Sequence, residues 1–164
     1  MRQGIIVFAE APPAGSAAEK AVKATVDLVV RVPGCTPFLA YAEASHSQKL
    51  RALVGGPPPR FFPQATRTKL GERIAQAFAF LFVQDYEQVA LITGDVPGLT
   101  PERVAAAFAD LEDHAVTIDE GGGHYLIALR RADFPLVAPI FEELRWEAPG
   151  AKAGAQSILA GELK

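Results

Sequence analysis

One stretch sets a lone carboxylate where chemistry is usually done. In QVALITGDVPGLT, residues 88–100, the apolar run Val89–Ile92 stops at Gly94, and Asp95 follows at once. Such a run has the composition of a strand buried on both faces of a parallel sheet. Thr100 and Pro101 then read as an N-cap and a first helical residue. In open α/β sheets, ligands bind just beyond the carboxyl ends of the strands. Asp95 is therefore the first candidate for chemistry; as a plain turn residue it would instead cap backbone N–H groups.

Other side chains admit two readings each. Ser16 and Glu19 have capping-box spacing, so Glu19 reads as a cap before it reads as a catalyst. Lys20 is either a solvated helix charge or a phosphate contact. Gly121–Gly123 is a turn, or a place where backbone closely approaches a ligand. His124 is a hydrogen-bonded histidine or a general base. Trp146 is core, or stacks on a ligand. No Ser-His-Asp set, metal-spaced histidine pair or P-loop occurs in the sequence.

The elements that must position these residues follow from pattern. Gly4–Ala9 reads as a first strand and Glu10–Gly15 as a loop. Ser16 opens a helix striped by Val22, Val26 and Val29, which ends at Pro33-Gly34. Thr36–Ala42 is a second strand and Ser45–Val54 a short helix ending at Gly55-Gly56. Arg60–Pro63 is at most a short strand. Leu70, Ile74, Phe78 and Leu81 make Leu70–Val83 the clearest helix. After the Asp95 turn, Pro101–Leu111 is a helix with Val104, Phe108 and Leu111 inward. Ala115–Ile118 is a strand, Asp119–Gly123 a turn, and His124–Leu129 a strand close enough to pair antiparallel. A helix broken near Pro135 and Pro139 follows, and Ala151–Leu163 could close the chain as a last helix. Strands alternating with helices predict a three-layer α/β/α sandwich with a mostly parallel, mixed sheet.

The chain has 164 residues, 49% hydrophobic and 21% charged, which predicts one domain over residues 1–164 with a real core. A net charge of -3 argues against nucleic acid as a partner. Cys35 is the single cysteine, so neither an intrachain disulfide nor a cysteine zinc cluster can form. Ile5–Ala9 is too short for a signal sequence, and no run is long enough to span a membrane, so the expectation is a cytoplasmic protein.

IIVFAEAPPAG, FPQ followed by LGERIAQAF, LITGDVPGLT, GGHYLIAL and RWEAP occur in that order. In this order the chain resembles the small bacterial glycosyltransferase-like proteins described as radical-SAM/selenodomain-associated or arsenosugar-biosynthesis transferases. Their fold is that of the nucleotide-diphospho-sugar transferases, the Rossmann-like glycosyltransferase A type. The resemblance implies a nucleotide-sugar donor, a small acceptor, and Mg²⁺ or Mn²⁺ held by Asp95. It implies donor contacts from Gly15, Ser16 and Lys20 in the early loop and from Gly71 and Arg73 in the LGER segment. Departures mark a divergent, trimmed member. Glu10, Ala18 and Glu19 replace the family's Lys, Lys and Thr, and Lys69 replaces an aspartate. Gly121 replaces the aspartate of Glu-Asp-Gly-Gly, His124 replaces a tyrosine, and no second acidic pair precedes Lys164. Three functions follow from this: a metal-dependent glycosyltransferase, an inactive fold relative serving as a binding or scaffold protein (a homodimer in its simplest form), and a nucleotidyltransferase.

Overall fold

The structure is a computed structural model. It describes residues 1–9, 15–43, 46–53, 59–65, 68–93, 96, 98–121, 124–144 and 146. Six strands form one sheet: β1 (Gln3–Ala9), β2 (Cys35–Tyr41), β3 (Arg60–Pro63), β4 (Gln88–Ile92), β5 (Val116–Gly121) and β6 (His124–Arg130). Their order is β3-β2-β1-β4-β6-β5. The pairings of β1 with β2 and β4, and of β2 with β3, are parallel; β6 runs antiparallel to both β4 and β5. The helices are α1 (Ala17–Val29), α2 (His46–Leu53), α3 (Leu70–Phe82), α4 (Pro101–Asp110) and α5 (Phe134–Glu143).

Beyond their first glutamine, the central strands β1 and β4 are apolar because both faces are covered. Ile5, Val7, Ala90 and Ile92 pack with Val29, Val104 and Phe108 on the side of α1 and α4. Ile6, Phe8, Val89 and Leu91 pack with Ile74, Phe78, Leu81, Val137 and Phe141 on the side of α3 and α5. Leu39 and Ala9 meet Val26 and Leu50 under α1 and α2. This is the three-layer mixed sandwich the alternation predicts. Val26 and Val29 of the α1 stripe are buried, as are Ile74, Phe78 and Leu81 of α3.

Two boundaries differ from expectation. β5 continues through Asp119 and Glu120 to Gly121, where a turn was expected, because these residues pair in register with Leu126, Tyr125 and His124. The segment after β6 is one helix, not a broken one: Pro135 falls in its first turn, where no N–H is needed, and Pro139 is carried inside it. Most of the Glu10–Gly15 loop, the Gly55-Gly56 stop and the Ala151–Leu163 helix lie outside the described residues. Among the described residues no helix is long and apolar enough to cross a membrane.

Candidate functional site

The strand order creates a crevice. From β1 the chain winds outward through β2 to β3, then crosses back to place β4 on the other side of β1. The connections after β1 and β4 therefore leave in opposite directions, and the space between them is where such sheets bind ligands. The strands end on one lip: Ala9 is level with Tyr41, and Tyr41 with Pro63, while Val7 is level with Ile92. The β5–β6 hairpin brings Gly121 and His124 to the same lip.

On the β1 side stands the N-terminus of α1. Gly15 takes a positive φ of 75°, which a glycine adopts without steric cost, and so turns the chain into the helix. Ser16 is the N-cap, and its Oγ accepts from the Glu19 amide at 3.1 Å. The Glu19 carboxylate accepts from the Gly15 amide at 3.2 Å. The capping box read from Ser16 and Glu19 thus forms, reaching Gly15 on its outer arm. Two amides that could hold a phosphate are engaged by the protein itself. Lys20, one residue on, is exposed.

On the β4 side, Thr93 is bound to β6 three times. Its amide donates to Tyr125 O at 2.9 Å, and its hydroxyl accepts from the Tyr125 amide at 2.8 Å. Its carbonyl oxygen lies 2.7 Å from His124 Nδ1. The hydroxyl stands in for the backbone carbonyl in the ladder, and the freed carbonyl turns to the imidazole. β4 thus leaves the sheet at a fixed point two residues before Asp95. Asp95, the expected metal ligand, lies outside the described residues. Beyond it, Thr100 caps α4 by accepting from the Arg103 amide at 3.1 Å. The Arg103 guanidinium pairs with Asp119 of β5, with Nε 2.6 Å from Oδ2.

A third group sits past β3. Gln64 is buried; its amide donates to Tyr41 O and its Nε2 to Ala40 O, both at 2.9 Å. Its Oε1 accepts from Arg73 Nη1 at 3.3 Å. Arg73 Nε is buried and meets no partner among the described residues, so the half-buried guanidinium keeps donor capacity at this end of the sheet. Gly71, by contrast, faces α5: a Cβ there would collide with the Phe141 carbonyl oxygen and reach Trp146 Nε1 at 3.0 Å. Trp146 is core, 1% exposed, with its Nε1 donating to Phe141 O at 2.9 Å and its carbonyl accepting from Tyr125 OH at 2.7 Å. Among the described residues no three His, Cys, Asp or Glu side chains converge on a point that could hold a metal.

Residues 25–148 match the sequence profile of a family described as "Uncharacterized protein conserved in bacteria (DUF2064)". The chain belongs to the DUF2064 family. No curated protein matches this DUF2064 chain by sequence. Solved structures share its fold. One, described provisionally as a nucleotide-diphospho-sugar transferase from Desulfovibrio desulfuricans G20, superposes with a TM-score of 0.84 at 23% identity, over 99% of this chain and 78% of that one. The 4-diphosphocytidyl-2C-methyl-D-erythritol synthase of Anaerococcus prevotii gives 0.63 at 13% identity, over 87% and 74%. Rv0371c of Mycobacterium tuberculosis in complex with manganese gives 0.61 at 14% identity, over 95% and 82%. The fold of this DUF2064 chain is thus nucleotide-diphospho-sugar transferase-like.

Thr93 and Gln64 escape a sequence reading of the site. Thr93 looks like an ordinary strand end, and only the pairing of β4 with β6 reveals what its hydroxyl does. Gln64 carries one available signal: a polar residue directly after the short strand RFFP, at a carboxyl strand end.

Proposed function

We propose that this chain is a transferase acting on a nucleotide-activated sugar, with the donor lying across the lip between β1 and β4. The crossing of the chain at that point carries the reading, since it opens a crevice at the carboxyl ends of parallel strands. Gly15, Ser16 and Lys20 would meet the diphosphate from one side. Arg73, whose buried Nε meets no partner among the described residues, would donate to the nucleotide from the other. Asp95 would hold Mg²⁺ or Mn²⁺, since one carboxylate beside substrate phosphates is an adequate protein share for such an ion. When bound, the cation would offset charge on the departing nucleoside diphosphate. The cytoplasm is the compartment that fits this reading.

A second reading has its own observation. The closed capping box occupies the Gly15 and Glu19 amides and sets a carboxylate where a diphosphate would lie. A helix N-terminus offers only about half a positive charge, and a like charge at a few ångströms costs roughly 1 kcal/mol in water and more where water is excluded. That favours a binding or scaffold protein that keeps the fold without the transfer. Calorimetric titration with UDP-glucose, GDP-mannose and CDP-glucose, each with Mn²⁺, separates the two. Saturable binding of one donor supports the transferase, and heat from none of them overturns it. Product analysis then distinguishes sugar transfer from nucleotidyl transfer, which would release pyrophosphate.

A further inference from the structure

The imidazole at the start of β6 has one nitrogen committed and, among the described residues, one without a partner. A carbonyl oxygen can only accept, so His124 Nδ1, 2.7 Å from Thr93 O, must carry the hydrogen. In the neutral ring Nε2 is then the basic nitrogen, and it has no partner among the described residues. The ring is half-buried. Alternation along β6 puts His124 on the face of Leu126 and Ala128, which pack against α1 and α4. His124 therefore stands on the side of the sheet where both candidate helix N-termini open, beside the strand end that leads to Asp95.

From this we infer that His124 is the proton acceptor for the incoming nucleophile, a role that rests on the transferase reading above. The acceptor O–H would give its proton to Nε2 while its oxygen bonds to the anomeric carbon. The bond from that carbon to the diphosphate oxygen breaks, its electron pair leaves with the nucleoside diphosphate, and the imidazolium returns the proton to solvent. The Thr93 carbonyl holds the ring in the tautomer this needs. The charged groups on this face of the neighbouring strand β5 are Asp119 and its partner Arg103 of α4.

The test uses His124→Asn, whose amide can still donate to Thr93 O but offers no basic nitrogen. Donor binding is measured as above, and turnover is read as nucleoside diphosphate released from the bound donor with Mn²⁺ and water as acceptor. The expected result is unchanged donor affinity, kcat lower by about 10²-fold or more, and loss of the acid-side fall expected of the wild-type pH profile. Turnover and pH profile like wild type in His124→Asn, with donor binding intact, overturn the assignment and leave the transferase reading standing. Absence of binding by every donor removes both. Independently of any donor, nitrogen-15 NMR of the free protein should show the Nδ1–H tautomer for His124, and an Nε2–H tautomer overturns the assignment.

Discussion

Gly71→Ala separates packing from ligand binding at a residue for which the family resemblance implies donor contact. Gly71 lies in the first turn of α3, where a methyl group would normally be harmless or mildly favourable. Here the added carbon would collide with the Phe141 carbonyl oxygen, sit 3.1 Å from the Phe141 carbonyl carbon and press on Trp146 Nε1. Two of those atoms are backbone, so α3 and α5 must separate for it to fit. Overpacking of this kind costs about 1–3 kcal/mol. Separation also strains the Trp146 Nε1 to Phe141 O hydrogen bond, and a buried donor left without its partner costs about 1–3 kcal/mol more. Against this stands at most about 1 kcal/mol of helix propensity. The net expectation is a loss of about 1–5 kcal/mol, read in urea unfolding as a lower midpoint at unchanged slope. Trp146, the single tryptophan, reports the transition directly by fluorescence. A Gly71→Ala protein as stable as wild type would refute the packing argument. If that protein had also lost donor binding, Gly71 would belong to the ligand site instead.

Three further outcomes follow. Thr93→Val keeps the shape but removes the acceptor of the Tyr125 amide, so stability should fall by about 1–3 kcal/mol and the Tyr125 amide should lose exchange protection; unchanged protection contradicts the three-bond anchor. Glu19→Gln keeps an acceptor for the Gly15 amide while removing the charge, so donor titration should tighten several-fold, corresponding to about 1 kcal/mol, with little change in unfolding; equal affinities would show that Glu19 does not face the donor. Burial pushes the Cys35 thiol up from its ordinary 9.0 to about 11. Between those values the unfolded chain has released the proton and the folded chain has not, so stability falls as pH rises through that window. The wild-type urea midpoint should therefore drop more steeply from pH 9 to 11 than that of Cys35→Ala, and parallel curves would contradict the burial effect.

Much of the fold is legible in the sequence because its signals are local. Val89–Ile92 and Gly4–Ala9 are apolar on both faces, Leu70–Phe82 has helical spacing, and Ser16 with Glu19 announces its own cap. What escapes the reading depends on partners distant in the chain. Asp119 looks like turn chemistry beside three glycines, yet its place in β5 is set by pairing with Leu126 and its charge by Arg103 on α4. Gly71 carries no sign of α5, which approaches from seventy residues on. Pro139 advertises a break that the packing of Val137 and Phe141 overrides. The site is legible to the same extent. The position of Asp95 after a buried strand is a sequence feature, whereas the hold of Thr93 on His124 Nδ1 and of Gln64 on Arg73 Nη1 exists only once the sheet is assembled.

The most direct measurement is a crystal structure of the protein soaked with a nucleotide diphosphate and Mn²⁺. The account predicts diphosphate density between Ser16 and Thr93, with the cation against the Asp95 carboxylate and Arg73 donating to the nucleotide. A crevice filled by the protein's own side chains, with Asp95 turned into the fold and no density at the strand ends, would contradict it.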